Sequence, residues 1–334
     1  MYATRPPPYG KAPETPLGVL RAERLVFDAP SDLARDPVHL ARLRVYLTDL
    51  LRPYGLELEP GILDHGRGQS YGEMAETVMG MAIAPDDAVD LVVLAYAIPD
   101  ITPGRATAAY LSHICPGNRL AFAVCDQGVA AAFTGLRLIR EYARTGGCRR
   151  ALLVVVEQAE LPYDTGEPVA IPAGHRAVAV LCGDPADGPG RAGGLEAAGL
   201  ETVRVRADVP PERAGAVLAA DVAALSAGRP DVTLIVGGGL AADSLDLQDV
   251  DRLRIAPAGR PYAGVWWELA GELAEPKAGR VVFADYDPGL RYLCLAALDV
   301  VVTRPSSTSE APSGTAVRLP VQRTQRTLAA QEHP

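Results

Sequence analysis

The 334-residue chain has no apolar run long enough to span a bilayer, and its N-terminus lacks the apolar core of a signal peptide. Its five cysteines, at 115, 125, 148, 182 and 294, are odd in number and form no C-x-x-C pair, which argues against a disulfide framework and a structural zinc site. Positive charge is not in excess either. The formal net charge is −9, so neither nucleic acid nor an anionic membrane is an expected partner. With 48% hydrophobic and 22% charged residues, the chain has ample material for a core in one large or two ordinary domains. The expectation is a cytoplasmic globular protein without a metal or resident cofactor.

The most informative stretch is 119–147, RLAFAVCDQGVAAAFTGLRLIREYARTGG. Leu120 to Val124 suits a short buried strand, Asp126-Gln127-Gly128 breaks it, and Val129 to Ala143 carries apolar residues at helical spacing. Gly146-Gly147 supplies a stop. Cys125 falls at the hinge between strand and helix. One reading makes it a small core hydrophobe. The other makes it a nucleophile, since the N–H groups and dipole of a helix N-terminus favour the thiolate.

The segment resembles the nucleophile segment of the thiolase superfamily, and most of all its ketosynthase III branch. There an "AFDxxxxCxGxxxAL" run is followed by a helix, a glycine and an "xRxLVVxxE" strand. Here Ala121-Phe122 precedes Cys125, Gly128 and Ala132 follow it, and residues 148–157, CRRALLVVVE, supply the strand. Upstream, DLVVLA at 90–95 with Pro99-Asp100 is similar to "DLIIVATxTPD", and downstream GHRAVAVL at 174–181 occupies the place of "GDGAGAVVL". The matches cover roughly residues 60–185. The resemblance implies an α/β chain of duplicated βαβαβ halves in five layers, αβαβα, with Cys125 as nucleophile and a homodimer as the assembly.

In chain order, 1–16 is proline-rich and expected as a flexible arm; 17–185 is a first thiolase-like half, 195–303 a second, and 304–334 a disordered tail. The glycine- and proline-rich run DPADGPGRAGG at 184–194 marks the internal boundary. Strands are expected at 19–27, 90–96, 120–124, 151–157, 177–182, 200–205, 231–236, 280–284 and 292–302, and helices at 36–54, 71–83, 106–114, 129–143, 211–225 and 263–273. Ser70 with Glu73 has the spacing of a capping box. The echo of 90–95 in DVTLIV at 231–236 supports duplication. Gly237-Gly238-Gly239 follows that strand, but no Lys-Ser/Thr comes after it to make a phosphate loop.

Condensing members of the family add a His from "PHQAN" and an Asn from "GNTSAAS", which stabilise the enolate formed on decarboxylation. In register with the first stands VGGGL at 236–240, and near the second RPYAGVWW at 260–267, so neither group is present. The family's "GFGAGLTWGAALL" is similar to 285–294, DYDPGLRYLC, where Gly289 would give an oxyanion-hole N–H and Asp285 and Asp287 replace glycines. Those aspartates either face solvent or lie near the sulfur, where they would raise its pKa. His113 is a candidate base or a plain loop histidine, and Asp287 a candidate replacement group. Trp266, Trp267 and Tyr262 either line an acyl pocket or pack in the core. A coenzyme A motif expected near 55–69 has no counterpart.

Two functions follow. The first is a non-decarboxylating acyltransferase of specialised metabolite biosynthesis, in which Cys125 takes an acyl group from an acyl carrier protein or CoA thioester and passes it to an acceptor. The second is a non-catalytic ketosynthase partner subunit, similar to chain-length factors, that shapes a heterodimer tunnel.

Overall fold

Alternating apolar strands and amphipathic helices make two copies of one arrangement. The computed structural model describes residues 16–63, 68–84, 87–103, 106–117, 120–166, 169–187, 195–240 and 250–302. The arm expected at 1–16, save its last residue, the tail at 304–334 and most of the 184–194 boundary lie outside them. The first copy runs β1 (Gly18–Phe27), α1 (Pro37–Leu51), α2 (Tyr71–Ala82), β2 (Leu91–Ala95), α3 (Thr107–Ile114), β3 (Leu120–Val124), α4 (Ala130–Arg144), β4 (Arg150–Glu157) and β5 (His175–Gly183). The second runs β6 (Leu195–Arg206), α5 (Pro211–Ser226), β7 (Val232–Val236), β8 (Arg252–Ile255), α6 (Gly264–Ala274), β9 (Gly279–Asp287) and β10 (Tyr292–Val302).

The strand order is β3-β2-β4-β5-β1-β6-β10-β9-β7-β8. Read inward from its own edge, the second five, β8-β7-β9-β10-β6, repeat the first five, β3-β2-β4-β5-β1. Pairings repeat too: β3∥β2∥β4 corresponds to β8∥β7∥β9, each followed by two antiparallel strands. Among the described residues Gly18↔Gly199 is the one register pair that joins β1 to β6.

Each sheet is apolar on both faces, as β2 illustrates: Leu91, Val93 and Ala95 face the central cluster, while Val92 and Leu94 face α2 and α3. The layers are therefore α2 and α3, first sheet, α4 and α6, second sheet, α5. This is the five-layer αβαβα arrangement of duplicated halves. Phe133, Trp266 and Phe283 meet in the middle layer, with Phe133–Trp266 centroids 5.1 Å apart. Burying each such ring contributes roughly 2–3 kcal/mol. Among the described residues no helix is long and apolar enough to cross a membrane.

Two local expectations fail for physical reasons. Strand β8 was not foreseen, because RLRI is four residues long and alternates arginine with apolar residues, as suits a guarded edge. The Ser70–Glu73 capping box does not form. Ser70 makes no capping bond, Glu73 accepts from Leu33 N–H, and the Asp100 carboxylate takes the first N–H of α2, from Tyr71, at 3.1 Å.

Candidate functional site

Parallel pairing of β2 and β3, with Ala95 opposite Val124, brings the next residues, Tyr96 and Cys125, together at the carboxyl ends of the strands. Such ends are where α/β sheets present ligand-binding groups. Tyr96 N–H donates to Val124 O at 3.2 Å and fixes the pair. The chain then turns through Asp126, whose φ of +59° is left-handed, a conformation that short Asp side chains tolerate. The Asp126 carboxylate accepts a hydrogen bond from the Cys125 thiol at 3.2 Å.

The helix does not begin at Cys125. Its N-cap is Val129, so the thiol stands on the strand exit rather than at the helix N-terminus. The expected depression of its pKa is reversed: burial first, then the Asp126 carboxylate, push the thiol above its ordinary value, and only the Tyr96 hydrogen bond opposes them. Tyr96 is pushed up as well, by burial and by the nearby sulfur and Asp126. Cys125 is nevertheless the one free cysteine that is not buried. Burial drives the thiols of Cys148 to about 11 and Cys182 to about 12.

The sulfur opens on a cavity of about 970 Å³. Its far wall is α1, through Leu43, Tyr46, Leu47 and Leu50, and its near wall includes Tyr96, Pro99 and Asp100. Burial lifts Asp100 to about 7, against the pull of its bonds from Thr102 and Tyr71 N–H. Among the described residues His39, on α1, is the histidine that lines this cavity, and sequence reasoning did not single it out. The signal available was its position one helical turn before the apolar run of α1.

His113 is elsewhere. It is exposed in the last turn of α3, which runs back to the amino end of β3, while Cys125 follows the carboxyl end. The length of β3 separates them by roughly 17 Å, so His113 is no base for this thiol. Trp266 is sealed in the middle layer, and the Trp267 ring meets the Arg24 and Arg260 guanidiniums at 4.8 and 4.9 Å from its centroid. Neither lines the Cys125 cavity. Tyr262 stands near Asp287 and Glu157, its phenol pushed to about 12 chiefly by burial. The cavity takes its aromatic lining from Tyr46, Tyr54, Tyr96 and Tyr163 instead.

The family spacing also lands differently. Counted from Ala121-Phe122, the cysteine of "AFDxxxxC" falls on Gly128, three residues past Cys125. A β-carbon at Gly128 would overlap Asp287 Oδ2, and one at Gly237 would overlap the Asp285 carboxyl. The space beside both glycines is thus occupied by the two aspartates of β9. Asp287 packs on Gly128 beside Leu290, which brings the β9–β10 turn carrying Gly289 up to the Cys125–Gly128 elbow. Asp285 is fully buried and, chiefly through burial, raised to about 8.

A carboxyl near 3.8 when unfolded and near 8 when folded holds more protons in the native state between those values, so stability falls as pH rises from about 4 to about 8. Asp285→Asn keeps an oxygen to accept Tyr286 N–H, now at 2.8 Å, and removes the charge. We expect its melting temperature to exceed that of the parent by a margin that widens from pH 5 to pH 8.5. Equal margins at both ends would contradict a buried, proton-holding Asp285.

No protein-family model matches the sequence, and no curated protein does. Solved structures match its fold. The tetronic acid condensing enzyme AbyA1 is 17% identical with a TM-score of 0.56, over 85% of this chain and 99% of that one. The 3-oxoacyl-(acyl carrier protein) synthase III FabH from Pseudomonas aeruginosa PAO1 is 17% identical with a TM-score of 0.55, over 86% and 100%. ChlB3, described as an acyltransferase, is 16% identical with a TM-score of 0.53, over 86% and 98%. At these identities the likeness is one of fold, and the fold of this chain is that of the thiolase-like condensing enzymes.

Proposed function

We propose that this chain is a divergent, ketosynthase III-like member of the thiolase superfamily that transfers acyl groups without decarboxylation. Cys125 takes the acyl group from an acyl carrier protein or CoA thioester and hands it to an acceptor in specialised metabolism. The observation that carries the non-decarboxylating part is the pair of carboxyls over Gly128 and Gly237. An enolate needs hydrogen-bond donors or positive charge; the space at Gly237 is filled by Asp285, whose Oδ1 is taken up by Tyr286 N–H, so no imidazole or amide donor stands there. The description of ChlB3 as an acyltransferase, on the same fold, supports transfer without condensation.

In the first half-reaction Asp126 accepts the thiol proton as the sulfur attacks the thioester carbonyl. Tyr96 donates to the sulfur, and a new C–S bond forms. Collapse of the tetrahedral intermediate breaks the donor's C–S bond, and the departing thiolate recovers the proton from Asp126. Gly289, on the turn against the elbow, is the candidate backbone donor to the oxyanion. The apolar wall of α1 receives the acyl chain. A homodimer fits the uncharged edge β3, whereas the opposite edge β8 carries Arg252 and Arg254 in ion pairs with Glu272 and Glu268.

Intact mass after exposure to acyl-thioesters tests the reading. One acyl mass should appear, map to Cys125 and vanish in Cys125→Ala, with no carbon dioxide released from malonyl-thioester above that variant's background. Gly128 at the family's cysteine position favours a second reading, the non-catalytic partner subunit. A chain that takes no acyl mass from any thioester but copurifies with a condensing ketosynthase would favour it.

A further inference from the structure

In the first half-reaction Asp126 handles the thiol proton; the second needs a group that takes the proton of the acceptor. Asp100 stands where such a group is required. Its carboxylate is fixed from two sides: Oδ2 accepts from Tyr71 N–H at 3.1 Å and Oδ1 from Thr102 N–H at 3.0 Å. Each oxygen keeps a second lone pair. The residue is not sealed in, since part of its surface is exposed, and it lines the cavity onto which Cys125 opens.

A series of contacts ties this carboxylate to the sulfur. Tyr71, whose N–H holds Asp100, lies beside Tyr96 with ring centroids 5.2 Å apart. Tyr96 in turn hydrogen-bonds Cys125, and its phenol is raised by burial first, then by the sulfur, Asp126 and Asp100. It thus lies in the field of two carboxylates, one on the thiol and one farther along the cavity wall. The other charged or titratable groups facing Asp100 are Glu73 on α2 and His39 and Arg42 on the α1 wall. Burial outweighs the two N–H bonds and holds the Asp100 carboxyl at about 7, where a base is ionised in part and still basic enough to take a proton.

We propose that Asp100 is the general base of acyl transfer from Cys125 and touches the O–H or N–H group of the acceptor. The role rests on the acyltransferase reading. As the acceptor's oxygen or nitrogen attacks the thioester carbonyl, a C–O or C–N bond forms and its proton passes to the Asp100 carboxylate. The C–S bond then breaks and the sulfur leaves as thiolate. The proton held by Asp100 returns to it through solvent, which restores both groups. An ester or amide results, or the free acid where water is the acceptor.

Water is the simplest acceptor and serves as the probe. Cys125 of the full chain is loaded from hexanoyl-CoA, excess donor is removed, and loss of the acyl mass is followed from pH 5.5 to 9. The parent rate should rise with pH, because only ionised Asp100 accepts a proton, and level off above an inflection at about 7. Asp100→Asn keeps one oxygen for a backbone N–H. It should load Cys125 within about threefold of the parent rate, yet deacylate at least about tenfold more slowly at pH 7.5 and without the plateau. Asp100→Glu restores a carboxylate and should regain part of the loss. A purely capping Asp100 would instead lower loading and deacylation together and leave the pH profile unchanged. That result would overturn the proposal. So would a parent rate that climbs with hydroxide across the whole range, a measurement that needs no variant to fold. Loading followed by deacylation that ignores Asp100 removes the base alone, whereas no acyl mass on Cys125 removes the acyltransferase reading and the base with it.

Discussion

Gly237→Ala is expected to lower the melting temperature by about 5 °C or more, although a single methyl is added. Position 237 does not need a left-handed backbone, so alanine costs nothing in φ; its β-carbon instead overlaps the Asp285 carboxyl. Overpacking of a tight interior costs typically about 1–3 kcal/mol, and displacing a buried carboxyl from its N–H donor, Tyr286, adds to it. In Gly237→Ala/Asp285→Ala the methyl enters space that the carboxyl has left. The double variant should therefore be more stable than the sum of its singles by at least about 1 kcal/mol. Thermal melts of the four proteins measure this coupling. Additive losses would mean that Asp285 does not occupy the space beside Gly237.

Asp126→Asn is expected to move two measurements of Cys125 in opposite directions. The amide retains the turn, since Asn tolerates a left-handed φ as Asp does, but it removes the charge 3.2 Å from the sulfur. The thiol pKa should fall toward its ordinary value. Each unit of fall gives about tenfold more thiolate near neutral pH, so alkylation by iodoacetamide at pH 7.5 should accelerate about threefold to tenfold. Acyl loading should slow instead, because the amide cannot accept the thiol proton as sulfur attacks. If alkylation and loading both accelerate, Asp126 is a restraint on the thiol and not its base. If alkylation is unchanged, the carboxylate does not govern this thiol at all.

The fold was open to sequence reading because period and punctuation agree along most of the chain. The runs at 91–95 and 232–236 are too continuous for anything but strands covered on both faces, and the helix before β4 has one unbroken apolar stripe from Ala130 to Ile139. The edge β8 escaped because alternating arginines erase the apolar run. The site was less legible. Cys125 drew attention as a residue type, whereas Gly128 and Gly237 offer no side chain to read. A sequence records that a side chain is absent but not what fills the space, and only packing reveals Asp287 and Asp285 there. The helix start was also misjudged. Local spacing allowed α4 to begin near the thiol, but Asp126 and Gly128, both with positive φ, delay it to Ala130.

The meeting of β1 and β6 through one glycine pair has a consequence for how the molecule comes apart. A seam so narrow would let two independent halves peel away from each other, yet the middle layer forbids it. Helix α4 leaves the first sheet and packs on β6, β9 and β10 of the second, while α6 packs on β1 and β5 of the first. Each half thus carries the inner cover of the other's sheet. Severing the chain between β5 and β6 would give two fragments with uncovered apolar faces, which would have to find each other before either could be native. In unfolding, the same reciprocity couples both sheets into one cooperative transition, and hydrogen exchange in β4 and β9 should slow to a common limit.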